Sequence, residues 1–199
     1  MKEQKHLKMF WLKHEPKRVD FPTEYEVISF DGTMKQKKIF YQMWNEKNAT
    51  DDEADDFFKQ KFYNVPDCNP TQDMFFVLKN SEYIASITAI YHPKQNLGHV
   101  HYVVIKKEYR QKRLSYPLMY LAIKKFFEVG AKGAYLFTQD WRLSAIKCYL
   151  GCGFFPQINE FWPWKKSKII ARWKTVYNNL NLNNLKILNS KNQFLHLKK

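Results

Sequence analysis

The sequence predicts a mixed α/β domain. Three observations carry this: apolar runs of strand length recur along the chain, segments with helically spaced apolar residues fall between them, and Gly, Pro or Asn punctuates the junctions. With 199 residues, 45% hydrophobic and 17% aromatic, the chain can fill the core of one domain with extensions.

The elements follow in order. "LKMFWLKH" (Leu7 to His14) reads as a short strand closed off near Pro16. "TEYEVISFDG" alternates as a strand and stops at the turn signal Asp31-Gly32. "MKQKKIFYQMWNE" spaces Ile39, Phe40, Met43 and Trp44 as a helix does. "TDDEADDFFKQKFYN" opens with Thr50 and carries Glu53 three residues on, a capping-box pattern whose acidic first turn suits the helix dipole. Three strands come next: "DMFFVLK", "YIASITAIYH" after the hairpin-like gap "NSE", and "GHVHYVVIKK" after "PKQNLG". A helix starts near Ser115 to Pro117, where Pro is tolerated, and ends at Gly130. "GAYLFT" is a strand, and "DWRLSAIKCYLGCG" is a helix with Asp140 as its expected N-cap. "FFPQI" closes as a short strand, and "KKSKIIARWKTVYNNL" is a basic amphipathic helix. The Asn- and Lys-rich tail from about Asn181 has weak structure signals and is expected to be partly mobile.

Charge is distributed unevenly. The net +14 divides into +3 over residues 1–20, −4 over 21–100, +7 over 101–156 and +8 over 157–199. A basic half suits nucleic acid, a membrane surface or a polyanionic small molecule. Cys68, Cys148 and Cys152 are odd in number and show no paired framework, so a reducing cytoplasm is expected. Charges interrupt every apolar run of the N-terminus, and no 18-residue apolar segment exists, so neither a signal peptide nor a membrane span is predicted.

One stretch places its charge against the helix dipole. In "EYRQKRLSYPLMYLAIKKFF", Arg110, Lys112 and Arg113 crowd a helix N-terminus, which is partially positive and prefers anions. A strand, a basic turn and a helix start form an anion site when free backbone N–H groups point out of the turn. On spacing alone, the cluster fits a phosphate site and a solvated basic turn equally well.

The residues "HYVVIKKEYRQKRLSYPLMYLAIKKF" followed by "FTQDWRLSAIKCYLGCGFFP" resemble the GNAT acetyltransferase superfamily. Its acetyl-CoA motif is an apolar strand, then Arg/Gln-x-x-Gly-x-Gly/Ala, then a helix. Arg110 takes the first motif position, Arg113 the first Gly and Ser115 the second. The later block matches at Ala145-Ile146, Tyr149 and Gly153-Phe154. The pattern from Asp140 to Pro156 is similar to the branch of mycothiol-synthase-type domains. The resemblance covers about residues 73–156, and the element order of the remainder agrees with it. It implies a mostly antiparallel central sheet flanked by helices, here with a C-terminal helical extension. The organisation expected is an arm over 1–20, a catalytic domain over 21–158 and a basic helix and tail over 159–199. The family has Gly where backbone approaches the pyrophosphate; here stand Gln111, Arg113 and Ser115. Any of them in a left-handed conformation costs about 1–2 kcal/mol.

The implied reaction is transfer of an acetyl group from acetyl-CoA, as cosubstrate, to an amine of a small molecule or peptide, by direct attack in a ternary complex. The resemblance puts cofactor contacts at Val103, Val104 and Ile105, at Arg110, Gln111, Lys112, Arg113, Leu114, Ser115 and Tyr116, and at Arg142 and Ser144. Tyr149 matches the acid that protonates the departing thiolate; a phenol titrating near 10 is protonated at neutral pH. For the base, His99 and His101 alternate on one strand face, expected together with Val103 and Ile105, and His101 is the candidate. Glu108, Glu24 and Glu26 are weaker candidates. Each of these residues also has a structural reading: Tyr149 as packing, His101 as a core histidine, and Arg142 and Ser144 as helix-start residues. Cys148 and Cys152 read as buried small residues, since two ligands make no zinc site.

The acceptor site is expected among aromatics: Phe40, Tyr41, Trp44, Phe57, Phe58, Phe62, Tyr63, Phe161, Trp162 and Trp164. The acidic stretch 46–56 fits either attraction of a cationic amine or simple helix capping. Two other classes stand beside the transferase. One is a nucleic-acid-binding protein, favoured by the basic 165–199 segment with Trp162, Trp164 and Trp173; the other is a CoA-binding module without turnover. Monomer and homodimer are both compatible with the sequence.

Overall fold

The computed structural model describes residues 6–158 and 166–195. Seven strands and six α-helices occur among them: β1 (Leu7–Leu12), β2 (Tyr25–Ser29), α1 (Met34–Asn45), α2 (Asp51–Phe58), α3 (Pro70–Asp73), β3 (Met74–Lys79), β4 (Glu82–His92), β5 (Leu97–Ile105), α4 (Ser115–Glu128), β6 (Gly133–Thr138), α5 (Leu143–Gly151), β7 (Phe154–Gln157) and α6 (Lys166–Asn179). They gather into two compact units, a larger one of residues 15–131 and a smaller one that joins 1–14 to 132–199. The strand pairs β1·β6, β1·β7, β2·β3, β3·β4 and β4·β5 are all antiparallel, giving the mixed, mostly antiparallel α/β architecture expected.

In the larger unit, β2, β3, β4 and β5 form an antiparallel meander. The β3–β4 link is tight because Asn80 and Ser81 take φ of 49° and 64°, the paired left-handed conformations a two-residue hairpin turn needs. Thr33 caps α1 by accepting from the Gln36 amide. Thr50 and Glu53 form the reciprocal capping box at α2, which runs on into a π-helical stretch over Lys59–Tyr63. Phe30, Phe40, Phe58, Phe62, Met74 and Phe76 build the core between α1, α2 and the strands. On α4, Phe126 lies over Gly98 of β5, where any Cβ would stand 2.4 Å from the ring. Only glycine lets that helix approach so closely.

In the smaller unit, β1 is central, pairing with β6 on one side and β7 on the other. Gly153, at φ 84°, turns the chain from α5 into β7 beneath His14, which a Cβ would meet at 2.8 Å. Two expectations need correction here. Asp140 does not cap α5, which starts at Leu143 with Arg142 in the N-cap position; the Asp140 carboxylate instead accepts two hydrogen bonds from Arg172 of α6, that from Nε at 2.9 Å. Nor is the tail loose. The Leu188 amide donates to Pro156 O at 2.8 Å, the Ile158 amide to Leu188 O at 2.9 Å, and Ile187 and Leu188 are fully buried. The chain after α6 thus covers the outer edge of β7, which would otherwise offer unpaired backbone groups. Helical and strand periodicity missed it because the contact is one isolated bridge at Gln157 and Leu188.

Candidate active site

The basic turn between β5 and α4 is pinned at its start. Lys106 N donates to Ile84 O at 2.8 Å, Lys107–Tyr109 make one 3-10 turn, and the Tyr109 hydroxyl donates to Glu82 at 2.7 Å. Beyond it the backbone alternates in hand: φ is 66° at Gln111, 58° at Arg113 and −64° at Leu114. Two of the three positions lacking the motif glycine therefore are left-handed, at about 1–2 kcal/mol each, and Ser115 is helical from the outset. Strain of this kind persists where the surroundings enforce it, and it clusters at functional sites. A left-handed residue followed by a right-handed one turns successive N–H groups toward one point, as an anion-binding nest does. Among the described residues, the amides of Gln111, Lys112, Arg113, Leu114 and Ser115 meet no backbone acceptor, and no side chain caps α4.

The three cations differ in their engagement. Arg110 donates to Glu46 at 2.9 Å and to Ile105 O at 3.1 Å. The Lys112 ammonium sits 4.6 Å from the Tyr109 ring centroid. Arg113 is exposed and forms no ion pair among the described residues. Arg113, rather than Arg110, is the readier counter-charge at this turn. Tyr116 is half-buried in the first turn of α4, and Leu114 is buried beneath the turn.

Strand β5 carries a bulge that the sequence did not announce. Thr88 pairs with His101 and Ile87 with Val103, so Tyr102 is an extra residue, at φ 53°. Thr88 and Ile87 point to opposite faces of β4, so His101 and Val103 do as well. This corrects the expectation that His101 shares a face with Val103 and Ile105. It lies instead with Tyr102 and Val104 against the aromatic core, 5.6 Å from Phe62 and 4.5 Å from Tyr102 between ring centroids. His101 Nε2–H donates to Lys61 O at 2.7 Å, which leaves Nδ1 as the basic nitrogen of the neutral ring. Burial lowers its pKa below the ordinary histidine value, so the ring is neutral at pH 7. Behind it stand His99, 5.0 Å away, and His92, which is held by Asp67 at 2.9 Å. Bulges without glycine have no sequence signature, which is why Tyr102 was missed. Val103 and Ile105 are half-buried, Val104 is buried and Glu108 is exposed.

The remaining candidates belong to the smaller unit. Tyr149 is half-buried on α5, its ring 6.4 Å from Phe154. Burial, reinforced by Cys148, raises its phenol pKa well above the usual value, so it holds its proton throughout the physiological range and can only donate it. Arg142 donates to Gln139 at 3.1 Å and lies 4.8 Å over the Trp141 ring, and Ser144 is exposed in the first turn of α5. The hydrogen bond with Cys148, and burial after it, raise the Cys152 thiol well above its usual pKa, and burial pushes Cys68 up to about 12.

Of the expected acceptor aromatics, Phe40, Phe58 and Phe62 are fully buried core, Tyr41 is nearly so, Trp44 and Phe57 are half-buried beside Tyr102, and Tyr63 is exposed. Phe161, Trp162 and Trp164 lie outside the described residues. The acidic stretch is engaged internally: Asp51 with Lys38, Asp55 with Lys37 and Lys59, and Glu53 in the capping box. Capping and pairing account for those acids without a cationic substrate.

Residues 36–154 match the family described as Acetyltransferase (GNAT). No curated protein sequence matches. Among solved structures, the fold resembles a GCN5-related N-acetyltransferase from Sphaerobacter thermophilus, with a TM-score of 0.55 and 10% identity over 76% of this chain and 49% of that one. The ribosomal-protein-S18-alanine N-acetyltransferase of Escherichia coli is similar at TM-score 0.52 and 13% identity, over 71% of this chain and 85% of that one. A spermidine N-acetyltransferase of Vibrio cholerae gives TM-score 0.52 and 14% identity, over 66% and 80%. The chain spans about half the length of the first of these.

Proposed function

The chain belongs to the GNAT family of acetyltransferases, and on that premise we propose that it transfers an acetyl group from acetyl-CoA to an amine of a small molecule or a peptide. The observation that carries this reading is the turn before α4, where five consecutive amides, from Gln111 to Ser115, have no backbone partner among the described residues beside the exposed Arg113. Free amides at a helix start, with a cation alongside, fit a pyrophosphate. Arg113 therefore supplies as a side-chain charge part of what the absent glycine would give as backbone access. Val103 to Ile105 would bind the pantetheine arm, and the resemblance to the family is what supports cofactor roles for Arg142 and Ser144.

The cosubstrate supplies the thioester. The chain's own residues manage the protons. His101, neutral and oriented by Lys61 O, accepts the amine proton at Nδ1. Tyr149 retains its proton until the departing thiolate needs one. Similar proteins named for spermidine and for a ribosomal-protein alanine support both a small-molecule and a protein amine as acceptor. We place the protein nearest the mycothiol-synthase-type branch, on the residue pattern from Asp140 to Pro156. We also place it in the cytoplasm, where three free thiols stay reduced. No helix among the described residues is long and apolar enough to cross a membrane.

The test is an amine panel with acetyl-CoA and a free-thiol readout, together with CoA titration by calorimetry. Tyr149→Phe is expected to lower kcat by about 10²–10⁴-fold with CoA affinity unchanged. Arg113→Glu is expected to weaken CoA binding. Failure of millimolar CoA to raise the melting temperature would overturn the reading.

A further inference from the structure

The smaller unit holds almost all of the protein's excess charge. Residues 1–14 and 132–199 contain sixteen Lys and Arg against three Asp and Glu, a net +13, whereas residues 15–131 contain seventeen against sixteen, a net +1. Lys13, Lys132, Lys147, Lys166, Lys168, Lys174, Lys186 and Lys191 are all exposed. Asp140, the one carboxylate among the described residues of this unit, is already bound by Arg172. Such self-repulsion destabilises a compact state. The candidate phosphate-binding turn lies in the other unit, so it does not account for this charge.

We propose that the smaller unit is a docking surface for single-stranded nucleic acid. A polyanion complements eight exposed lysines with one neutralised acid between them. Two further features select the kind of polyanion. Aromatic rings are exposed among the cations: Trp141 is 66% exposed with the Arg142 guanidinium over its ring, and Phe194 is 46% exposed near Lys191 in sequence. Unpaired bases stack on such rings, and duplex bases cannot reach them. The exposed Asn178, Asn179, Asn181, Asn183 and Asn184 add donors and acceptors without charge. An anionic lipid surface fits less well. The apolar face of α6, formed by Ile169, Trp173, Val176 and Tyr177, is buried in the protein and has nothing to insert.

The test is fluorescence anisotropy of the full chain with a labelled single-stranded RNA of about 20 nucleotides, across a salt series, beside a duplex of equal length and phosphatidylserine vesicles. Affinity is expected to fall linearly in log–log form as salt rises, with about −0.7 of slope for each phosphate neutralised. The triple substitution Lys166→Glu, Lys174→Glu, Lys186→Glu should flatten that slope by about 2 and lower affinity more than tenfold. Trp141→Ala should cost about tenfold with the slope unchanged. All three lysines are exposed, and circular dichroism checks that the variant remains folded. No binding at about 50 mM salt, no response to the lysine reversals, duplex bound as tightly with Trp141→Ala silent, or stronger binding to vesicles would each overturn the proposal.

Discussion

Residues 15–131 and the smaller unit are both built on antiparallel strands with helices against them, yet they treat charge in opposite ways. In the larger unit, acids and bases are nearly equal in number and interlocked. Asp55 serves Lys37 and Lys59, Glu82 serves Lys106 and the Tyr109 hydroxyl, and Asp73 holds Lys125 at 2.6 Å. In the smaller unit, the Arg172–Asp140 pair is the one ion pair shown among the described residues. Exposed ion pairs contribute little stability singly. What the contrast teaches is therefore about exterior fields: the larger unit presents a nearly neutral surface around one strained basic turn, and the smaller unit presents a broad positive one.

The contrast can be broken most severely at the tail. If residues 181–195 belong to the core of the smaller unit, Leu188→Ala should destabilise by about 2–5 kcal/mol in urea unfolding and release hydrogen-exchange protection at β7. A cost well under 1 kcal/mol would return the tail to the status of a loose appendage. A milder change sharpens the other side of the comparison. Arg113→Gly removes a left-handed side chain, so it should raise stability by about 0.5–1 kcal/mol while weakening CoA binding. If stability and affinity fell together, the strain would not be stored at this turn.

The smallest effect is one of pH. Hydrogen bonds and charge from Lys37 and Lys59 hold the Asp55 carboxyl down to about 2, from an ordinary 3.8. Its contribution is therefore fully present above the ordinary value and lost as pH falls toward the folded one. Burial lowers the His101 pKa, so the neutral ring favours the folded state, and that contribution also fades as pH falls below the ordinary 6.5. Both groups lie in residues 15–131, so exchange protection there should weaken first on acidification. Earlier loss in the smaller unit would contradict this account.

Much of the local structure was legible in the residues. The capping box of Thr50 and Glu53, the hairpin turn at Asn80-Ser81 and the helix stop at Gly130, with φ 75°, all obey rules that act over a few residues. The start of α4 behind a basic turn was legible for the same reason, since the cations and the following helix are contiguous. The face of His101 was not, because one inserted residue at Tyr102 reverses the alternation on which such readings rest.

The sequence by itself determined where most strands and helices lie, where their charge falls and which residues make up the basic turn before α4. These follow from side-chain spacing and backbone preference between near neighbours. Tertiary structure alone decided that β1 pairs with β6 more than 120 residues away, Leu7 opposite Thr138, and that Asp140 serves Arg172 rather than its own helix. It also decided that Leu188 seals the edge of β7. Those outcomes depend on which distant surfaces can bury apolar area and satisfy backbone groups together, and no local pattern encodes that competition.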